Sequence, residues 1–257
     1  MALRRRDGNL VVMTTDPLFV DVYALDDLPP APWTTLVSAG LPWCGAVLKN
    51  TEGLYYNGGE WFTSNWQSMK MAAQAAGRYG VDFFRGCYHY IYVGESGTKQ
   101  AQYYQAQIEA AGGWGNGDLW PIVDVENADQ PADMSKGQII DCVSQWAETI
   151  TAITGRAPML YGRTLLAQYN ITDHMGCQLL WTADLSSTLP ASVYEKIGWS
   201  RDQVFGWQYC EDGSGALKGY PMTTPIGKLD CSAMIIDDAA GHMAPIAWTR
   251  QHLGIAR

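Results

Sequence analysis

The segment from residue 119 to 161 reads LWPIVDVENADQPADMSKGQIIDCVSQWAETITAITGRAPMLY. Its first eight residues are mostly apolar and predict a strand over 119–126. Ser135 and Gln138 then form an S-x-x-Q capping box, and apolar residues follow at helical spacing. Gly155 ends this predicted helix, and the MLY that closes the segment starts the next strand. Two strands joined by a helix in this way lie parallel in one sheet.

The same alternation of strands and helices extends in both directions along the chain. Eight predicted strands indicate an α/β protein with a closed or nearly closed β/α barrel, similar to a TIM barrel. One such barrel needs about 250 residues, so the 257 residues predict a single domain over 16–257 after an N-terminal tail over 1–15. The helical patterns weaken late in the chain, and 213–227 reads as a loop, so we expect the barrel to be irregular there. The strands are predicted at 18–23, 44–49, 81–92, 119–126, 159–161, 179–182, 204–209 and 228–234, and the main helices at 32–40, 64–80, 98–111 and 135–154.

Composition narrows the possible partners. Hydrophobic residues make up 47% of the chain, which is enough for a sizeable core, and the net charge is −9. An acidic chain is not expected to follow a phosphate backbone, which argues against nucleic-acid binding. No stretch approaches the ~20 apolar residues of a membrane span, so we expect no membrane insertion.

The cysteines and the start of the chain suggest where the protein is made. Six cysteines are widely spread without a CxxC pair, so we expect free buried thiols and no zinc site. The basic start of the chain lacks the apolar run of a signal peptide. Both features predict synthesis and folding in a reducing cytoplasm.

Four acidic residues lie in or at the ends of predicted strands: Asp21, Asp124, Glu126 and Asp230. Function in β/α barrels collects at the carboxyl ends of the strands. Asp124 and Glu126 are two positions apart on one strand, so they project from the same face. Two neighbouring carboxyl groups are what glycoside cleavage requires, one as a proton donor and one as an anion. The spacing alone also fits a loop clamp or a helix cap.

The surrounding motifs resemble those of family 25 lysozymes. A strand holding an Asp comes first, and the later motifs follow in the order of that family over residues 18–235. No single motif is specific, but eight in order are. They are VDV at 20–22, KNTEG at 49–53, YHY at 88–90, VDVE at 123–126, LYG at 160–162, LWTA at 180–183, WQY at 207–209 and LDCS at 229–232.

The resemblance implies a flattened, irregular barrel that cleaves the β-1,4 bond between N-acetylmuramic acid and N-acetylglucosamine in peptidoglycan, with retention and without a metal or other cofactor. It implies that Glu126 is the general acid/base, that Asp124 is its partner and that Asp21 and Asp230 line the same pocket. The substrate-binding residues would be Lys49, Glu52, Tyr88, His89, Tyr90, Tyr161, Trp181, Trp207 and Tyr209. Without a visible signal peptide or wall-binding module, the chain fits a phage endolysin or a lysozyme associated with a virion or a secretion machine, which is an analogy only.

Three other functions compete with this interpretation. A chitinase-like glycosidase would need a D-x-x-D-x-D-x-E signature, but 117–123 offers only Asp118, in the wrong register. A phosphodiesterase could hold Mg²⁺ with the four carboxylates, but no Arg or Lys cluster lies beside them in the sequence. A non-catalytic glycan-binding barrel is the third alternative.

Overall fold

The computed structural model describes residues 2–6, 9–13, 17–22, 33–39, 43–76, 83–115, 117–217 and 220–235. The strands are β1 (Ala2–Arg6), β2 (Asn9–Met13), β3 (Leu18–Val22), β4 (Trp43–Glu52), β5 (Tyr56–Asn57), β6 (Phe84–Tyr90), β7 (Ile122–Asp124), β8 (Met159–Tyr161), β9 (Leu179–Ala183), β10 (Val204–Cys210) and β11 (Asp230–Met234). The helices are α1 (Trp33–Ser38), α2 (Gly59–Ala76), α3 (Gly97–Ala110), α4 (Lys136–Thr154), α5 (Thr164–Gln168) and α6 (Ser192–Glu195).

Eight strands form a closed barrel, which confirms the predicted α/β barrel fold. The sheet order is β3-β11-β10-β9-β8-β7-β6-β4, with β5 beside β4, and pairing of β3 with β4 closes the ring. β11 is antiparallel to both of its neighbours, whereas the alternation of strands and helices predicted parallel pairing, and this strand lies in the part of the chain where irregularity was expected. Within the described residues between β10 and β11 there is no helix, and a loop without a helical crossover joins antiparallel strands.

Within the predicted N-terminal tail, β1 and β2 pair antiparallel in a separate two-stranded sheet. This segment thus carries regular backbone pairing. It is not one of the strands of the barrel sheet.

The helices that pack outside the barrel follow the apolar spacing of the sequence. α4 has the predicted capping box between Ser135 and Gln138, and Gly155 ends it with a left-handed φ of 71°. α2 begins at Gly59, five positions before its predicted start at residue 64. α5 and α6 have only five and four residues, which agrees with the weak helical patterns in the second half of the chain.

Alternation along the strands divides the core into two parts. Outward side chains pack against the helices, whereas inward ones fill the barrel. The inner core contains Phe19, Val47, Phe84, Ile122, Met159, Trp181, Phe205 and Met234. Closer to the carboxyl ends of the parallel strands, the inward positions become polar, so the barrel has an apolar floor and a polar mouth.

A buried ion pair joins β6 to the loop before β7. Arg85 binds Asp118 through two hydrogen bonds of 2.7 and 2.9 Å, and its guanidinium lies 3.8 Å from the centre of the Trp66 ring. Nη1 of Arg85 also donates to the Trp66 carbonyl. Asp118, the one acidic residue of 117–123, is therefore engaged in this structural contact.

All six cysteines are buried and free, as the sequence predicted. No helix among the described residues is both long and apolar enough to cross a membrane.

Candidate active site

A cavity of about 470 Å³ opens at the polar mouth of the barrel. Its wall brings together the four acidic residues predicted from the sequence and adds three more carboxylates from the loops that follow β9 and β10. The seven are Asp21, Asp124, Glu126, Asp184, Glu211, Asp212 and Asp230. An open concave site with several converging carboxyl groups is the expected place for acid/base chemistry.

Asp124 and Glu126 lie at the end of β7 and both face the cavity. Asp124 is only 5% exposed, and one of its oxygens, Oδ1, is buried without a hydrogen-bond partner in the described part of the chain. Glu126 is half-buried and more open to the cavity. The two carboxyl groups therefore differ in solvation, although they belong to the same short stretch.

Burial and mutual repulsion raise the pKa values of this pair. Burial, and then the charge of Glu126, raises the pKa of Asp124 well above its ordinary value, and Asp21 adds to the effect. Burial, and then Glu211, raises the pKa of Glu126, whereas Lys49 lowers it. The negative charge that raises the pKa of Glu126 thus comes from Glu211, in the loop after β10. Because the pKa values of both groups are raised, the pair keeps one shared proton to a higher pH than two isolated carboxyl groups would.

Asp230 reaches the mouth because β11 runs antiparallel. It is the first residue of its strand and lies directly opposite Asp21, the fourth residue of β3. Gln208 Nε2 donates to Asp230 at 2.9 Å, and the backbone N–H of Asp212 donates to its other oxygen at 2.8 Å. The hydroxyl of Tyr161 donates to Gln208 at 2.6 Å. A chain of hydrogen bonds thus fixes one wall of the cavity.

Three of the predicted substrate-binding aromatic residues line the cavity. They are Tyr88, Tyr161 and Trp181, on three different strands. The rings of Tyr161 and Trp181 lie 4.5 Å apart, and the Trp181 indole donates to Ser232 Oγ at 3.0 Å. Trp181 is buried and supports Tyr161 from below. The partly exposed rings of Tyr88 and Tyr161 remain as flat surfaces beside the carboxyl groups, an arrangement that suits a sugar ring.

Lys49 and Glu52 form an ion pair at the end of β4, next to the cavity. The Lys49 ammonium lies 5.3 Å from the ring centre of Tyr56 and 5.0 Å from that of Tyr90. Tyr90 donates its hydroxyl to the Ala128 carbonyl. Lys49, Glu52 and Tyr90 are therefore neighbours of the carboxylate pair, and the charge of Lys49 acts on both of its members.

The structure corrects the placement of His89, Trp207 and Tyr209, which were predicted to bind substrate. His89 is fully buried, stacks on Trp146 of α4 and is hydrogen-bonded to Thr51 and Gln100.

Trp207 donates to the Asp184 carbonyl and Tyr209 donates to that of Pro221. Both rings belong to the core on the helix side of the sheet. Because strand residues alternate between faces, these three side chains point away from the cavity that their neighbours Tyr88 and Gln208 line.

Comparison with known proteins gives the same picture as the geometry. The family described as "Glycosyl hydrolases family 25" matches residues 20–217, about three quarters of the chain.

The chain belongs to glycosyl hydrolases family 25.

A curated relative resembles this chain in sequence, and solved structures resemble it in fold. The N,O-diacetylmuramidase of Chalaropsis sp is 35% identical over 121 residues, which is 45% of this chain and 53% of that protein. The chain thus spans about half the length of the curated relatives it matches. The bacterial lysozyme from Streptomyces coelicolor superposes with a TM-score of 0.63 at 23% identity, over 88% of this chain and 95% of that one. The family GH25 lysozyme from Aspergillus fumigatus gives 0.65 at 19% identity, over 93% and 99%.

Sequence reasoning missed several cavity residues of this family 25 chain. Gln208 could have been found, because alternation places it opposite its aromatic neighbours in the WQY motif. Arg163, Asp184 and Glu211 lie in loops after the strands, where no periodic pattern marks the inward direction. Among the described residues, no group of three or more His, Cys, Asp or Glu side chains is arranged to hold a metal ion.

Proposed function

We propose that this chain is a muramidase that hydrolyses the β-1,4 bond between N-acetylmuramic acid and N-acetylglucosamine in peptidoglycan. The observation that carries the proposal is the Asp124–Glu126 pair, which faces an open cavity at the mouth of a family 25 barrel. The names of the related proteins support it, since they include a muramidase and lysozymes.

In the proposed reaction the two carboxyl groups have different roles, which follow from their different surroundings. Glu126 is the more accessible to the cavity and donates the shared proton to the leaving oxygen of the glycosidic bond. Once the proton lies on Glu126, Asp124 is the anion that stabilises positive charge at the anomeric carbon. It does so either as a nucleophile or by orienting the acetamido group of the substrate. Either route retains the β configuration.

The remaining groups hold the pair and the sugar in place. Lys49 places a positive charge near both carboxyl groups, which favours one ionised member over none. Tyr161, Gln208 and Asp230 form the fixed wall, and the partly exposed ring of Tyr88 lines the same cavity.

The test is replacement of Glu126 by Gln, which keeps the shape of the side chain but cannot donate the catalytic proton. General acid catalysis contributes about 10²–10⁴-fold, so clearing of purified peptidoglycan should fall by at least about 100-fold. The matched control is Glu148→Gln on the exposed face of α4, which should keep full activity. Both variants should show the circular dichroism of the parent.

Product analysis tests the bond specificity. New reducing ends should appear on muramic acid, with the β configuration retained. A folded Glu126→Gln protein that clears peptidoglycan within tenfold of the parent contradicts the role of Glu126. Reducing ends on glucosamine contradict the muramidase assignment and favour another glycosidase, and cleavage of chitin oligosaccharides at a similar rate favours the chitinase-like alternative.

A further inference from the structure

We infer that Arg163 recognises a carboxylate of the glycan strand and thereby selects acidic, muramic-acid-containing glycans over neutral ones of the chitin type. The inference rests on the proposed function and concerns the same cavity. It starts from the charges of the cavity wall. Among the described residues that line it, seven are carboxylates and one, Arg163, is a cation.

The backbone holds Arg163 close to the catalytic strand. It follows Gly162, whose φ is +145° and whose N–H donates to the Trp181 carbonyl at 3.2 Å. A Cβ at position 162 would come within 2.6 Å of the Val125 carbonyl oxygen. Val125 lies between the two catalytic carboxyl residues, so the turn that carries Arg163 packs directly against the stretch that carries them.

One edge of the Arg163 guanidinium is fixed and the other is left open. In the described part of the chain, its hydrogen bonds all come from Nη1, which donates to Asp184 Oδ2 and to the Ala183 carbonyl. Its side chain is 39% exposed. The Nε and Nη2 groups are therefore available, and this edge is the one that binds a carboxylate through two parallel hydrogen bonds.

Asp184 is itself held in position, so it anchors the arginine. The backbone N–H of Ser186 donates to its Oδ1 at 2.9 Å, and its own N–H donates to the Gln208 carbonyl at 3.0 Å. Burial raises the pKa of Asp184, but the hydrogen bonds from Ser186 and the charge of Arg163 outweigh it and lower that pKa below the ordinary value. A permanently charged anchor leaves the guanidinium preorganised, which reduces the entropy lost on binding.

The chemistry of the substrate supplies the matching group. Muramic acid differs from glucosamine by a lactyl ether, whose carboxyl group is either free or joined to a stem peptide with carboxylates of its own. Seven carboxylates of the cavity wall repel such an anion, whereas the open edge of Arg163 attracts it. Lys49, a second cation beside the cavity, is already paired with Glu52. Neutral chitin-type strands carry no carboxylate that could form a charged, bidentate pair with this edge.

The experiment compares Arg163→Gln with the parent on three glycans. These are peptidoglycan oligosaccharides with stem peptides, the same strands after an amidase has removed the peptides, and chitin oligosaccharides. A lost bidentate contact to a charged group corresponds to about 10–100-fold in affinity. We therefore expect KM to rise by about 10–100-fold on one or both acidic glycans and to stay unchanged on the neutral one. Arg163→Lys should recover part of the affinity, since it restores the charge without the planar fork.

The arms of the experiment identify the source of the carboxylate. A loss confined to peptide-free strands indicates the lactyl group, and a loss confined to peptide-bearing strands indicates the stem peptide. Arg156→Gln removes a cation whose Nη1 contacts the Asp118 carbonyl outside the cavity. As the matched control, it should change none of the three values.

Binding of the same three glycans to the Glu126→Gln protein, measured by titration calorimetry with and without the Arg163 change, separates this inference from the proposed function. If the parent cleaves none of the glycans but binding still shows the selective loss, the proposed function fails and the recognition stands. Equal losses on acidic and neutral glycans, no loss at all, or no binding of acidic glycans by the parent would each overturn the role of Arg163.

Discussion

Replacing His89 by Gln should remove a large part of the pH dependence of stability. His89 is fully buried between β6 and α4, where it stacks on Trp146. The neutral ring with its proton on Nε2 satisfies both contacts, because Nε2 then donates to Gln100 and Nδ1 accepts from Thr51. A protonated ring would place a charge in this apolar layer. Gln retains a polar side chain but cannot take up a proton.

The magnitude follows from the pKa of the buried ring. Burial lowers the pKa of His89 from 6.5 to about 4. The unfolded chain thus binds this proton near pH 6.5 and the folded chain only near pH 4. Stability that is fully present above pH 6.5 is therefore lost as the pH falls towards 4. At about 1.4 kcal/mol per pKa unit, the loss from this residue is about 3 kcal/mol.

The assay is chemical denaturation of both proteins at intervals from pH 7.5 to 4. The parent should be the more stable at pH 7.5, because the imidazole fits its site, and its advantage over His89→Gln should shrink by about 3 kcal/mol at pH 4. Subtracting the free energy of unfolding of one protein from that of the other cancels the contribution of the carboxyl groups, which both proteins share. His174→Gln, which removes a partly exposed ring stacked on Trp199, controls for the loss of a histidine as such. Parallel stability curves for the parent and His89→Gln would refute the reasoning.

Two further predictions concern stability. Asp124→Asn should raise the melting temperature at pH 7 while lowering activity. Burial and the charge of Glu126 raise the pKa of Asp124, so the folded state disfavours its ionised form at a pH above the ordinary pKa. A lower melting temperature of the variant at pH 7, or a stability gain over the parent that disappears as the pH rises, would contradict this. Arg85→Met should lower the free energy of unfolding by about 3–5 kcal/mol, since it leaves the charge of Asp118 buried without its partner. Urea denaturation measures this loss, and a value under about 1 kcal/mol would contradict the importance of the pair.

The fold could be predicted from the sequence wherever local signals agreed. The capping box, apolar stripe and terminal glycine of α4 all indicate the same helix, and the structure confirms it. The direction of β11 could not be predicted from the strand pattern, because apolar alternation is the same in parallel and antiparallel strands. The loop-like composition of 213–227 already argued against a helical crossover there.

Some residues of the candidate site could be predicted from the sequence and others could not. The carboxyl groups could be found because acidic residues within apolar strands need a physical reason. The errors at His89, Trp207 and Tyr209 came from treating a motif as a unit, although alternate residues of a strand face opposite sides. Arg163 could not be predicted, because its position depends on a turn packed against a different strand and on an anchor twenty-one residues further along the chain.

The antiparallel course of β11 also determines where the barrel begins and ends in space. β3 starts and β11 finishes at the floor of the barrel, and the N–H of Met234 donates to the Pro17 carbonyl at 2.9 Å. The two boundaries of the barrel are thus bonded neighbours on the side opposite the acidic mouth. A circular permutant in which a short linker joins Met234 to Pro17 should keep the barrel intact, provided that its new termini lie in a loop on the outer, helical side of the barrel. In the unpermuted barrel, a module fused at either boundary would lie on the floor side and leave the acidic mouth unobstructed.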